Sequence, residues 1–249
     1  MAEKTEIAWT DSTFNPWIGC QKVSAGCDRC YAEEMMDKRY GRVQWGPHGE
    51  RVRTSEAYWR QPRRWNAAAG EFHAKHRRRQ RVFCASLADV FDNQAPDGAR
   101  DDLWRLIFET PELDWLLLTK RPENILSMLP KFGLPLRGPW PNVWLGTTAE
   151  DQAAYERRWP ILREVPAVVH FISYEPAIGP LRLIGGHHPD WLICGGESGR
   201  GYRDMPAQWV EDIQYDCEVA EVPFFMKQMA GKRPIPDRLM LREFPVVMV

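Results

Sequence analysis

No stretch of the chain approaches the ~18 uncharged apolar residues that a membrane-spanning helix requires. The opening segment, MAEKTEIAWTDSTFN, lacks the apolar core of a secretory signal. Neither sign of charge is in excess: 33 Lys and Arg face 34 Asp and Glu, a formal net charge of -1. Whole-molecule attraction to nucleic acid is therefore excluded, and such a partner would have to meet a local basic patch. Cysteine is sparse, with 6 in 249 residues, and Cys84, Cys194 and Cys217 are scattered. That usage does not suit a secreted disulfide framework, so the expectation is a cytoplasmic protein without membrane contact. The phosphate-loop and dinucleotide fingerprints are missing too. The nearest approach, ICGGESGRG, matches neither pattern, and its glycines read as sites of close backbone approach with Glu197 turned toward a cofactor or substrate.

What is present is enough apolar material for a sizeable core: 44% of residues are hydrophobic, which suits one domain over residues 1–249. Short apolar runs recur along the chain: STFNPWIG, RVFCASLADVF, LDWLLLTKR, NVWLGTTAE, AVVHFISYEP, DWLICGGESG and VPFFMKQ. Near-continuous apolar runs flanked by turn residues are what strands covered on both faces look like. Helical stretches fit between them at 31–40, 101–109, 123–129, 151–163 and 208–220. Strands alternating with helices predict an α/β fold, a partial TIM-like barrel of six or seven parallel strands.

Polar residues stand where each run stops: Ser86 and Asp89, Thr119 and Lys120, Thr147, Thr148 and Glu150, Ser173 and Glu175, Glu197 and Ser198, Lys227 and Gln228. The loops after the strands build the active site of a parallel barrel, so these positions are expected to share one mouth. Residues 51–81 hold a basic cluster, Arg51, Arg53, Arg60, Arg63, Arg64, Lys75, Arg77, Arg78, Arg79 and Arg81, interleaved with Tyr58, Trp59, Trp65 and Phe72. Either a solvated helical face or a nucleic-acid surface near the mouth would use such a pattern.

NPWIGCQKVSAGCDRCYAEE places Cys20, Cys27 and Cys30 in one glycine-punctuated stretch. A structural zinc site closes with four ligands, and no second Cys or His pair at the right spacing lies nearby. A cubane iron–sulfur cluster held by three thiolates keeps one iron open for a non-protein ligand. Both metals remain open on the residues alone, the zinc reading giving a nucleic-acid-binding module without turnover.

Three cysteines ending in C-x-x-C and an aromatic residue, after the first strand of a partial barrel, resemble the radical S-adenosylmethionine (SAM) superfamily. FNPWIGC…GC…CYAE, S-x-x-D, TKRP, the strand end LGTTAE, EP, GGESG and FFMKQ, in this order, are more closely similar to a phage- and bacteria-associated family of unknown function. Here the spacing is C-x6-C-x2-C, where the superfamily's commonest form has three residues in the first gap. The resemblance implies a [4Fe-4S] cluster on Cys20, Cys27 and Cys30, and S-adenosyl-L-methionine held by Ser86, Asp89, Thr147, Glu150, Glu175 and Glu197. It also implies a 5′-deoxyadenosyl radical and a reductant such as flavodoxin or ferredoxin. The spore photoproduct lyases are similar in their Cys-Tyr ending and in a hydrogen-donating cysteine after the second strand. That likeness makes Cys84 and Tyr31 the expected catalytic pair, DNA the partner and thymine-photoproduct repair the reaction, with base modification as the alternative. Lys120, Arg121, Arg200, Arg203, Lys227, Lys232 and Arg233 are expected to add phosphate contacts.

Overall fold

The computed structural model describes residues 5–130 and 140–247. Its strands are β1 (Ser12–Phe14), β2 (Trp17–Ile18), β3 (Val52–Arg53), β4 (Gln80–Cys84), β5 (Leu113–Thr119), β6 (Val143–Thr148), β7 (Val169–Tyr174), β8 (Trp191–Gly195) and β9 (Phe224–Gln228). Seven form one sheet in the order β1-β4-β5-β6-β7-β8-β9, and every neighbouring pair is parallel. The sheet curls into a half-barrel, while β2 and β3 make a separate antiparallel pair. Each of the seven apolar runs in the sequence supplies one sheet strand, because covering both faces of a parallel sheet demands apolar side chains at nearly every position.

The helices are α1 (Tyr31–Glu33, continuing as a π-turn over Glu34–Arg39), α2 (Glu56–Trp59), α3 (Gln61–Ala67), α4 (Ala69–His76), α5 (Ala99–Glu109), α6 (Ile125–Met128), α7 (Gln152–Leu162) and α8 (Ala207–Val219). Asp151 caps α7 by accepting from the Ala154 N–H at 2.8 Å. No described helix is long and apolar enough to cross a membrane.

The strands present two faces. Toward the helices, Phe14, Val82, Cys84, Leu117, Leu145, Ile172 and Cys194 pack with Leu103 and Trp104 of α5, Tyr155 of α7 and Ile213 of α8. On the interior, Phe83, Leu116, Trp144, Phe171, Trp191, Ile193 and Phe225 close around Trp9. The Trp9 and Phe83 ring centroids lie 4.5 Å apart, and Trp144 meets Trp191 edge-on at 6.1 Å. Gly146 makes room for this plug, since a Cβ there would fall 2.3 Å from the Phe171 ring. The chain's last part lies along β9, where the Met226 N–H donates to Leu241 O at 2.7 Å and the Glu243 N–H to Phe224 O at 2.9 Å. That covers a sheet edge that would otherwise offer free backbone groups.

Two expectations are corrected by this packing. Cys84 is fully buried in the helix-side core. It cannot present its thiol to the barrel interior, because alternation gives that face to Phe83. Residues 51–81 form the later part of the first crossover and the start of β4, and much of their charge is spent on structural pairing. Arg53 pairs with Asp102 (3.0 Å), Arg63 with Glu109 (2.6 Å), Arg78 with Asp11 (2.6 Å) and Arg79 with Asp114 (3.7 Å). Arg51 and Asp92 form a buried pair at 2.9 Å. Arg60, Arg64, Lys75 and Arg77 stay exposed. Three of the four interleaved rings are core anchors: Tyr58 stacks on Phe14 at 5.1 Å, Trp59 meets Phe14 edge-on at 5.3 Å, and Trp65 packs against the helix-side core, while Phe72 stacks on His76 at 4.3 Å.

Candidate functional site: three thiols over the barrel mouth

The cysteine loop leaves β2 through Gly19, whose φ of +117° favours glycine and whose added Cβ would sit 2.6 Å from Glu50 O. The Gly19 N–H donates to Leu87 O at 3.1 Å, and the Gly46 N–H to Cys20 O at 3.0 Å. Arg51, anchored on Asp92, donates to Gly46 O (2.8 Å) and Gly49 O (2.7 Å) and so folds the 46–51 segment behind the loop. Cys27 ends a 3-10 turn, Ala25–Cys27, and Cys30 stands just before α1, where the Ala32 and Glu33 N–H groups act on its sulfur. The three thiols are free and half-buried, whereas Cys84, Cys194 and Cys217 are free and buried.

Strand ends hold this loop from several sides. After β5, the buried Arg121 donates Nη1 to Asp89 Oδ2 at 2.8 Å and Nη2 to Gln21 O at 3.1 Å, and its nitrogens lie 3.8 and 3.9 Å from Cys20 Sγ. Burial, reinforced by the Asp89 charge, pushes the Cys20 thiol up to about 12 against the pull of Arg121. Asp89 also accepts from Thr119 Oγ1 (2.8 Å), the Phe91 N–H (2.9 Å) and the Lys120 N–H (3.2 Å). It anchors Arg121, which leaves little of it for a cofactor. Burial raises the Cys30 thiol, with the Lys120 charge among the opposing influences, and Lys120 Nζ donates to Thr148 Oγ1 at 3.2 Å. Lys120 has no carboxylate partner within 4.0 Å among the described residues.

After β4, the Tyr31 hydroxyl donates to Ser86 O at 2.5 Å, and burial of that hydroxyl pushes the phenol above its usual range. The Tyr31 ring itself is about half open, 48% exposed, at the mouth. The Ser86 side chain is engaged by Asn15, whose Nδ2 donates to Ser86 Oγ at 3.1 Å. Glu150, after β6, pairs with Arg158 at 2.6 Å and packs against Gly26, where a Cβ would lie 3.2 Å from its carboxyl carbon. Glu175 pairs with Lys227 at 2.6 Å and accepts from Ser173 Oγ at 3.4 Å. Glu197 is held by Arg203 and by Arg29 of the cysteine loop. Between Val23, Ser24 and Ala25 of that loop, Lys120, Glu150 and α7 lies a cleft of about 550 Å³.

Cys20, Cys27, Cys30, Tyr31, Asp89, Glu150, Glu175 and Glu197 thus meet at one end of the barrel, along with the Ser86 backbone. Cys84 does not, and neither does Thr147, which is fully buried and donates to Thr119 O at 2.8 Å. The expected phosphate contacts are largely engaged elsewhere: Arg121, Arg203, Lys227 and Arg233 all hold carboxylates. Sequence reading missed Asn15 and Arg29, and gave Arg121 the wrong partner. The adjacency of Arg121 to a strand end in LLLTKRP was the available signal. Among the described residues, no group of three His, Cys, Asp or Glu side chains is gathered as a single metal ion would need.

One family model, whose description is protein of unknown function (DUF5131), matches residues 4–238. The chain belongs to that family. No curated protein and no solved structure matches it. For this DUF5131 chain, the site's geometry is therefore the basis of any functional reading.

Proposed function

We propose that the chain is an iron–sulfur enzyme of the radical SAM type that acts on a DNA base, with Cys20, Cys27 and Cys30 holding a [4Fe-4S] cluster. The observation that carries this reading is the placement of three half-buried thiols, on one loop, over the end of an open parallel barrel where the strand-end polar groups converge. The donor set fits. Three thiolates suit a cubane with one open iron, and their charge is met by Arg121 at Cys20 and by Lys120 acting on Cys30. When bound, the cluster and S-adenosyl-L-methionine supply one-electron chemistry, fed by a reductant of the flavodoxin or ferredoxin kind.

The protein's share is holding and shielding. Thr148, Ser173 and Glu175 offer hydroxyl and carboxylate oxygens to the cofactor's ribose and ammonium. Asp89 fixes Arg121 so that its charge stays on Cys20. The aromatic plug beneath closes the interior to water. Tyr31 holds its proton on Ser86 O, and its ring faces the mouth. Base modification fits this mouth better than photoproduct repair, because Cys84 faces the helices and, among the described residues, no thiol other than Cys20, Cys27 and Cys30 stands there to donate hydrogen.

The test is anaerobic purification and reconstitution with iron and sulfide. About four irons per chain are expected, falling to near zero when any of the three cysteines becomes Ala. With S-adenosyl-L-methionine and reductant, 5′-deoxyadenosine is expected, and mass spectrometry of co-incubated DNA reads modification against repair. Stoichiometric zinc without sulfide, or iron content indifferent to the cysteine changes, overturns the reading.

A further inference from the structure

Glu197 follows β8 in Gly195-Gly196-Glu197, and its backbone is fixed by packing. A Cβ on Gly196 would lie 2.5 Å from the Ala230 nitrogen, and the Gly231 N–H donates to Glu197 O at 2.7 Å. Its side chain is only 4% exposed, and both oxygens are engaged. Oε2 accepts from the Arg203 N–H at 2.6 Å and from Arg29 Nη1 at 3.2 Å, while Oε1 accepts from Arg203 Nε at 3.0 Å and also from Nη2. With that much donor contact, the carboxylate has little left to offer a cofactor. What it does reach is the turn between two thiols. Arg29 lies between Cys27 and Cys30, and Arg203 continues to Ala25 O at 2.8 Å and to within 3.6 Å of the Asp28 carboxylate.

The two ends of the cysteine loop are held differently. The Cys20 end is fixed by Gly19 on Leu87 and by Arg121 on Gln21. The Cys27–Cys30 end hangs on Tyr31, on the Gly26 contact with Glu150, on the packing of Cys30 against the Ile18, Ala32, Met36 and Leu87 cluster, and on this carboxylate. We propose that Glu197 is a latch: a positioning residue that, through Arg29 and Arg203, holds the Cys27–Cys30 turn against the β8 end and so keeps two of the three thiols in place over the mouth. This goes beyond the proposed function and does not rest on it, because the latch is made of protein groups alone.

The test uses the metal-free full-length protein. Each cysteine is alkylated with iodoacetamide under native conditions and its rate is read by mass spectrometry, in the original chain and in Glu197→Gln. The amide keeps the Arg203 N–H contact but removes the charge that holds the two guanidinium groups. Cys27 and Cys30 are expected to react about tenfold faster in the variant, with Cys20, Cys84, Cys194 and Cys217 unchanged. Rates for Cys27 and Cys30 within about twofold of the original overturn the latch. Should the buried cysteines also react, the variant has opened globally, and Arg29→Gln, which cuts a half-exposed arm of the latch, decides: faster Cys30 alkylation supports it and an unchanged rate overturns it. Iron content after reconstitution reports separately on the cluster, so failure of one reading is distinguishable from failure of the other.

Discussion

The interior of the half-barrel and its mouth are built from the same seven strands, yet they are opposite in kind. Inside, Trp9, Phe83, Trp144, Phe171, Trp191 and Phe225 fill the space between strands with rings that meet ring to ring, and the polar contacts are at the margin, where Trp191 Nε1 donates to Glu243 O at 2.9 Å and Arg81 lies over Trp144. At the mouth, a set of charged groups is held in pairs: Asp89 with Arg121, Glu150 with Arg158, Glu175 with Lys227, Glu197 with Arg203. The contrast teaches that a parallel barrel can separate its tasks along the strand direction, leaving stability to the apolar floor and letting the loops at the strand ends carry polar machinery. Buried ion pairs add little net stability over apolar packing, so the pairs at the mouth mark positioning.

The largest effect is expected of Trp144→Ala. It is expected to cost about 3–5 kcal/mol while leaving native-state alkylation of the loop thiols unchanged, as read by denaturant melts and thiol mapping. A loop that loosens with the floor would show that the two regions are one unit. Arg121→Gln strikes the mouth in return. It leaves the side chain of Asp89, 8% exposed, without its cation and removes the donor beside Cys20. About 3 kcal/mol of stability is expected to go, and Cys20 alkylation is expected to change with it.

Asp114, at the start of β5, lies at the opposite end of the barrel from the mouth. Burial raises its carboxyl to about 6, outweighing Arg79, Arg81 and Arg78, which pull it down. A raised folded-state value means that the native state favours the protonated acid, so stability is fullest below the ordinary 3.8 and is lost as pH rises through about 6. Asp114→Asn is therefore expected to be more stable than the original by about 1–2 kcal/mol at pH 8, with the advantage vanishing near pH 4, as followed by thermal melts across that range. The smallest effect belongs to Cys84→Ala: about 1 kcal/mol of lost packing, with iron binding unchanged. Loss of iron or of deoxyadenosine formation in that variant would return Cys84 to the site.

The strands were legible because each is an apolar run bounded by turn residues, and the helix over 208–220 differs from α8 by one residue at each end. Cys84 and Thr147 were misplaced for a related reason. In QRVFC both faces of β4 are apolar, so nothing in the run says which parity faces the barrel, and Phe83 and Cys84 look interchangeable. The basic segment was misread because its acidic partners, Asp11, Asp92, Asp102, Glu109 and Asp114, are distant in sequence or belong to other elements. A charge run displays its own sign and says nothing of what it will meet.

By itself, the sequence determined the alternation of strands and helices, the parallel sheet, and the gathering of three thiols on one short loop, since propensity, apolar patterning and spacing are all local properties. Only the tertiary structure decided which side of each strand faces the mouth, and which charges remain free there. Those follow from sheet register and from pairs such as Arg29 with Glu197, where residues far apart in the chain meet because burying a charge is favourable only beside its opposite.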